Sequence, residues 1–171
     1  ATQRQIPAMA RIKTSMTDEH LVLSHEGMPD LLVPLTYPEG KALEAKVWKS
    51  ECLVVDEGEK AQKWLTSVLG EWRGQKLNLV RMAKDFSRQV STNHTRGVEN
   101  TTYFADGYPL LVTTTASLGS LNQKLQEGGE TPVPMSRFRS NLVVENDVAF
   151  LEHNFDSLVV ESDTSLEINL C

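Results

Sequence analysis

Cys52-Leu53-Val54-Val55-Asp56-Glu57-Gly58-Glu59-Lys60-Ala61-Gln62-Lys63-Trp64-Leu65-Thr66-Ser67-Val68-Leu69-Gly70 changes its hydrophobic period partway along, and that change sets the fold class. Cys52 to Val55 is a short apolar run bounded by turn residues, which is how a strand reads. Ala61, Trp64, Leu65, Val68 and Leu69 then fall at i, i+3, i+4, i+7 and i+8, a spacing that gathers them into one stripe along a helix. Asp56 is placed to accept from backbone N–H groups of the first turn while Glu59 reaches back, as in a capping box, and Gly70 offers the left-handed stop. Trp64, on that stripe, reads as core packing and not as a platform for a ligand.

Upstream, brief apolar runs at 9–12, 21–23, 31–33 and 43–48 read as strands separated by Gly27, Pro29, Pro34, Pro38 and Gly40. Short strands at such spacing suggest a small barrel or sandwich, not a parallel sheet with a crossover helix after every strand. Downstream, 77–80 and 110–112 read as strands. A second helix follows, capped by Thr114 or Thr115, with Leu118, Leu121 and Leu125 on one face and Gly128-Gly129 at its end. Strand signals return at 141–144, 158–160 and 166–170, with a short amphipathic turn at 148–151. The expectation is an α+β, predominantly β chain in two β-rich units, with the seam between Val80 and Asn100.

Composition narrows the function classes. No window of the 171 residues approaches the roughly 18 consecutive apolar residues of a membrane span, and Ala1-Thr2-Gln3-Arg4-Gln5 is too polar for a signal peptide. The expectation is a cytoplasmic protein with no membrane association. Two cysteines, Cys52 and Cys171, make neither a disulfide framework nor a four-ligand zinc site. A net charge of −6 argues against binding a nucleic-acid duplex through general phosphate neutralisation. The charge is uneven: Arg73, Lys76, Arg81, Lys84, Arg88 and Arg96 stand against the single Asp85 between 73 and 96, and from Glu145 onward there are acids but no Lys or Arg. The basic run could form a local anion site, although such runs commonly serve only as solvated faces.

Common catalytic signatures are absent: no phosphate loop, dinucleotide fingerprint, nucleophile elbow or zinc-protease helix occurs. His20, His25, His94 and His153 share no ligand spacing, and no residue is singled out as catalytic. Two segments carry candidate chemistry. Phe104-Ala105-Asp106-Gly107-Tyr108-Pro109 sets a carboxylate, a glycine and a phenol in a tight connection before a strand, where ligands are often held; the plain alternative is an ordinary turn. Arg137-Phe138-Arg139-Ser140-Asn141 precedes another strand, and alternation would put Arg137, Arg139 and Asn141 on one side with Phe138 on the other. Two guanidinium forks and an amide suit a phosphate or a polar heterocycle, pyridoxal phosphate included among such ligands, while the alternative is a surface salt-bridge cluster.

The run Phe104 to Leu111, then Ala116-Ser117-Leu118 and Leu121-Asn122, then Arg137-Phe138-Arg139-Ser140-Asn141-Leu142-Val143-Val144, resembles MOSC domains, the cofactor-binding modules of molybdenum enzymes. Thr2-Gln3-Arg4-Gln5-Ile6-Pro7 and Asp56-Glu57-Gly58 with the Trp64 helix resemble the β-barrel domain that precedes MOSC in the same family, which includes the amidoxime-reducing component and bacterial proteins that detoxify N-hydroxylated base analogues. The resemblance implies an amino-terminal β-barrel-like domain over 1–83 and a partial MOSC-like β-barrel with peripheral helices over 84–171. It implies a molybdenum cofactor whose molybdopterin is held by basic and polar residues. Asp106, Gly107 and Tyr108 fall on the family's cofactor loop, and Arg139 and Asn141 on its arginine and asparagine; Arg137 joins them on the strand reading. Relatives usually have proline where Ser140 stands, so the restriction that proline imposes on the backbone is missing here.

Relatives also begin with a strand and a Pro-Val-Lys-Ser-like segment, and they carry a molybdenum-ligating cysteine near a second one. Cys171 matches the first of that pair and is the candidate metal ligand, so the chain reads as incomplete at both ends. The implied activity is reduction of small N-hydroxylated substrates with electrons from a flavoprotein or iron–sulfur partner. The competing reading is a non-catalytic module that binds or carries an anion or pterin.

Overall fold

The computed structural model describes residues 2–95, 97, 99–161 and 165–169, so the candidate ligand Cys171, together with Arg96, lies outside the described residues. The chain separates into two compact units, Ala1–Arg88 and Gln89–Cys171.

In the first unit, Pro7–Arg11 is a 3₁₀ turn with proline at its start, where the sequence reading placed a strand over 9–12. The pyrrolidine ring fixes φ near the helical value and lacks the N–H that a first turn leaves unpaired. Strands β1 (Lys13–Met16), β2 (His20–Ser24) and β3 (Leu31–Pro34) form an antiparallel meander. Its register sets Leu21 opposite Val33 and Leu23 opposite Leu31. β3 alternates buried and exposed residues, so Leu31 and Val33 face inward and Leu32 and Pro34 outward.

Strands β4 (Leu43–Val47), β5 (Ser50–Asp56) and β6 (Val80–Met82) form a second antiparallel sheet in the order β4-β5-β6. Val47 pairs with Ser50, which leaves Trp48 and Lys49 as a two-residue turn. Trp48 therefore does not extend the strand as expected but sits at φ 55.

Helix α1 (Glu59–Leu69) packs the expected stripe: Ala61, Trp64 and Leu65 are buried against Leu23, Leu31 and Val33. Burial of each leucine-sized side chain contributes about 1.5–3 kcal/mol, and the Trp64 indole N–H donates to the Pro29 carbonyl at 2.6 Å. The helix starts differently from expectation. Its N-cap is Gly58 at φ 94, with no side-chain cap; Asp56 Oδ1 instead accepts from the Gly58 N–H at 2.7 Å, and Glu59 pairs with Lys63 at 2.9 Å. Glycine at a positive φ takes the place of the capping box because the sharp turn out of β5 needs a residue without a Cβ. A second cluster, Cys52, Val54 and Met82, lies on the β5–β6 sheet.

Further along, β7 (Arg88–Gln89) pairs with β8 (Thr101–Thr102). β9 (Val112–Thr114), helix α2 (Thr115–Glu127) and β10 (Leu142–Val144) form a strand–helix–strand crossover in which β9 and β10 run parallel, as a helical crossover allows. Thr114 is the N-cap as expected, accepting from the Ser117 N–H, and Gly129 follows the helix at φ 78. β11 (Ser157–Val160) and β12 (Leu166–Asn169) form an antiparallel hairpin.

Every buried apolar residue among those described, except Val90, lies between Ile6 and Met82. The two units together make a β-dominated α+β fold of open sheets. No closed barrel is formed among the described residues, because each short sheet keeps two edges.

Candidate functional site

The two segments singled out by sequence enter neighbouring strands. The bend at 103–109 leads into β9, and the turn at 135–141 leads into β10. Asn141 joins them: its Oδ1 accepts from the Leu111 N–H at 2.8 Å, and its own N–H donates to the Leu111 carbonyl at 2.9 Å. The amide side chain thus imitates one more rung of the parallel ladder, just before Leu142 pairs with Val112. Deeper in, the Thr113 hydroxyl lies 2.8 Å from Ser140 Oγ and 3.2 Å from Met135 Sδ.

The strand expected at 141–144 forms as β10, but the segment leading into it is not extended. Met135–Arg137 is a 3₁₀ turn following Pro134, with the N–H groups of Arg137, Phe138 and Arg139 donating to the carbonyls of Pro134, Met135 and Ser136. Arg139 then takes a left-handed φ of 57. Strand alternation accordingly does not place Arg137, Arg139 and Asn141 on one face. Proline after Arg139 would steer it toward extended backbone; serine leaves the left-handed geometry open and adds the hydroxyl that meets Thr113.

Arg137, Arg139, Asn141, Asp106 and Gly107 are exposed and Tyr108 is half-buried. The Tyr108 hydroxyl donates to the Ser91 carbonyl at 3.4 Å, which holds its side of the bend. A Cβ built on Gly107 would meet nothing within 4 Å, so a ligand has open access to the backbone there. Two guanidinium groups, an amide-tied loop pair and an open glycine are the residue types that the anionic, hydrogen-bonding part of a pterin cofactor would need. They do not by themselves supply a metal ligand set, and no group of three or more His, Cys, Asp or Glu that could hold a metal occurs among the described residues. Cys52 is buried in β5 of the first unit.

Sequence reading missed the polar network at the other end of β9. Ser117 Oγ donates to Glu152 Oε1 at 2.6 Å and accepts from the Phe150 N–H at 2.8 Å. The Thr114 hydroxyl lies 3.2 Å from Glu152 Oε2, and Asn146 Oδ1 accepts from the Ala116 N–H at 3.1 Å. The amino end of α2, a natural anion site, is thereby filled by the protein's own groups. Only the Thr114 cap was visible in the sequence, since Asn146 and Glu152 lie about thirty residues away.

Burial of Glu152 opposes its charge, but hydrogen bonds from Ser117, its own backbone N–H and Thr114, with the charge of His153, outweigh that and hold the carboxyl below its usual range. A lowered folded-state value contributes stability that is present above the unfolded value and lost as pH falls through the folded one. The Ser117 and Phe150 amide resonances are therefore expected to titrate together at a pH below that of exposed glutamates, and Glu152→Gln is expected to abolish that step. Titration in the ordinary glutamate range would contradict the network.

Three members of the basic run from 73 have partners within the protein. Arg81 Nε donates to Glu57 Oε1 at 2.7 Å, and its other nitrogens reach the carbonyls of Pro34, Leu35 and Thr36. Lys84 lies 4.8 Å from the centre of the Tyr37 ring and Arg73 5.6 Å from that of Trp72. The anion site anticipated there is not assembled by these three cations.

Residues 1–72 match the family model described as the MOSC N-terminal beta barrel domain, and residues 99–169 match that of the MOSC domain. Mitochondrial amidoxime-reducing component 1 of Mus musculus is 30% identical over 163 residues, covering 93% of this chain and 46% of the relative. Mitochondrial amidoxime reducing component 2 of Bos taurus is 27% identical over 173 residues, covering 99% of this chain and 49% of the relative. Molybdenum cofactor sulfurase of Bos taurus is 25% identical over 177 residues, covering 94% of this chain and 20% of that protein. The chain spans about half the length of the amidoxime-reducing relatives it matches. A solution structure of a Bordetella bronchiseptica protein, 25% identical, covers 50% of this chain and 65% of its own at a TM-score of 0.39, too low to bear on the fold.

These comparisons give pyridoxal phosphate no support. The names of the amidoxime-reducing relatives say mitochondrial, so the cytoplasmic expectation gains none either. Among the described residues no helix is long and apolar enough to cross a membrane.

Proposed function

Because the chain belongs to the family in which a MOSC N-terminal β-barrel domain precedes a MOSC domain, we propose that its second unit binds a molybdenum cofactor at the paired loops 103–111 and 135–141. The observation that carries this reading is the Asn141–Leu111 pair of hydrogen bonds, which fixes the two candidate loops side by side at the entry to β9 and β10. Arg137 and Arg139 would hold the phosphate and pterin through charge-assisted hydrogen bonds. Asp106 and Tyr108 would line the group, and Gly107 would let backbone approach it. Cys171 would be the thiolate on the metal, a soft ligand suited to a metal–sulfur centre.

The proposed reaction is reductive cleavage of an N–O bond in a small N-hydroxylated substrate: two electrons and two protons enter, the N–O bond breaks, and the amine and water leave. The bound cofactor supplies the two-electron chemistry, while the protein supplies orientation and charge. The electrons come from a flavoprotein or iron–sulfur partner. Names of relatives that include amidoxime-reducing and molybdenum cofactor functions support this reading.

Expression in a cofactor-competent host tests it. The purified chain should carry molybdenum near one per chain and release a fluorescent pterin on acid oxidation. Pterin without metal would favour the carrier reading, and absence of both would remove the proposal.

A further inference from the structure

Both ends of the loop that carries Arg137 and Arg139 come back to one side chain. The Thr113 hydroxyl on β9 lies 3.2 Å from Met135 Sδ at the start of the loop and 2.8 Å from Ser140 Oγ at its end. Thr113 has one hydrogen to give, and both contacts hold together when it donates to the sulfur and accepts from the Ser140 hydroxyl. All three side chains are partly buried, whereas Ser136, Arg137, Phe138 and Arg139 between them are exposed. Thr113 thus closes the segment at its neck and leaves the cationic stretch outside.

The clasp sits beside a strained residue. Arg139 has φ 57, a region that a residue with a Cβ occupies only when its surroundings hold it there. The turn's own bonds run from the N–H groups of Phe138 and Arg139 to the carbonyls of Met135 and Ser136, at 3.0 and 3.3 Å, and do not reach Ser140. Serine has no ring to restrict the backbone, so at 140 the restriction comes through its hydroxyl.

We propose that Thr113, acting through Ser140, is a positioning residue that presets the Arg137–Arg139 stretch for an anionic group; this rests on the reading of 135–141 as a cofactor loop. A loop already held in its binding shape loses less freedom when the ligand arrives, so affinity rises without a new contact. Removing the hydroxyl pair weakens retention of the ligand, while the fold and the Asn141–Leu111 tie persist.

Three substitutions test it. Thr113→Val keeps the branched outline and removes the hydroxyl, Ser140→Ala removes its partner, and Thr113→Ser puts a hydroxyl back on a smaller side chain. After expression of the full chain in a cofactor-competent host, Thr113→Val and Ser140→Ala are each expected to retain about fivefold less pterin than the parent, the worth of one hydrogen bond. The double variant should lose no more than either single one, because both changes remove the same contact, and Thr113→Ser should hold close to the parent amount. In the cofactor-free chain, amide exchange of Phe138 and Arg139 should quicken by a similar factor in Thr113→Val, with the Leu111 amide unchanged. Additive losses in the double variant, parent-level pterin in Thr113→Val, or unchanged exchange of Phe138 and Arg139 would each overturn the proposal. Absence of pterin from the parent and every variant would remove the cofactor reading instead, and exchange would then still decide the clasp: faster exchange in Thr113→Val supports it, and unchanged exchange overturns it.

Discussion

Arg81→Ala is expected to destabilise the first unit by about 3 kcal/mol. Arg81 stands on β6, in the second sheet, yet its guanidinium reaches the carbonyls of Pro34, Leu35 and Thr36 at the end of β3 and just beyond it, and pairs with Glu57 ahead of α1. The Glu57 side chain is only 7% exposed and that of Arg81 27%. Truncation therefore strands a carboxylate with little water to compensate it, and three carbonyls lose a donor. Residual solvent access keeps the estimate at the lower end for a broken buried pair. Arg81→Lys should recover only part, because an ammonium cannot span the same fork of acceptors. Adding Glu57→Ala to Arg81→Ala should cost less than the two single changes summed, with a coupling on the order of 1–3 kcal/mol. Urea unfolding followed by tryptophan fluorescence, to which the buried Trp64 contributes, measures each variant. A loss below about 1 kcal/mol for Arg81→Ala would place the pair with ordinary exposed ion pairs.

Asn141→Leu should have the largest effect on the proposed cofactor site, lowering retained pterin by about 10- to 100-fold, the range found when residues that orient ligand-holding groups are changed. Leucine keeps the branched outline but removes the acceptor for the Leu111 N–H, so the two loops lose the side-chain rung between them. Fold stability should fall by only about 1 kcal/mol, since Leu111 is 46% exposed and water can take the vacated place. Asn141→Asp separates positioning from contact. Its carboxylate still accepts from Leu111, so the Leu111 amide resonance should stay near its original position. Pterin retention should nevertheless drop, because a negative charge now lies beside the proposed phosphate site. Full pterin retention in Asn141→Leu would show that the loops need no such tie.

The elements that sequence revealed are those whose signal is local. The α1 stripe is a repeating contact, and Thr114 caps the turn immediately after it, so both are written within a few residues. What escaped depends on distant partners. Glu57 and the carbonyls of Pro34 to Thr36 lie 24 to 47 residues from Arg81, so the basic run read as a surface when its central member is a clamp. The one-sided placement expected of Arg137, Arg139 and Asn141 failed for a related reason: the Arg-x-Arg-x-Asn spacing fits alternation, but the 3₁₀ turn after Pro134 and the left-handed Arg139 do not follow it. Of the two candidate loops, the positions in the chain were legible and the hydrogen bonds that join them were not. Asn141 was expected to contact a ligand, and the tie that its Oδ1 makes to the Leu111 N–H had no local signal.

Hydrogen exchange of the cofactor-loaded chain against the cofactor-free chain tests the site most directly. Slower exchange of amides in both 103–111 and 135–141, with the β4–β5 hairpin unchanged, is the predicted result. Protection confined to one of those loops, or falling mainly in the first unit, would contradict it.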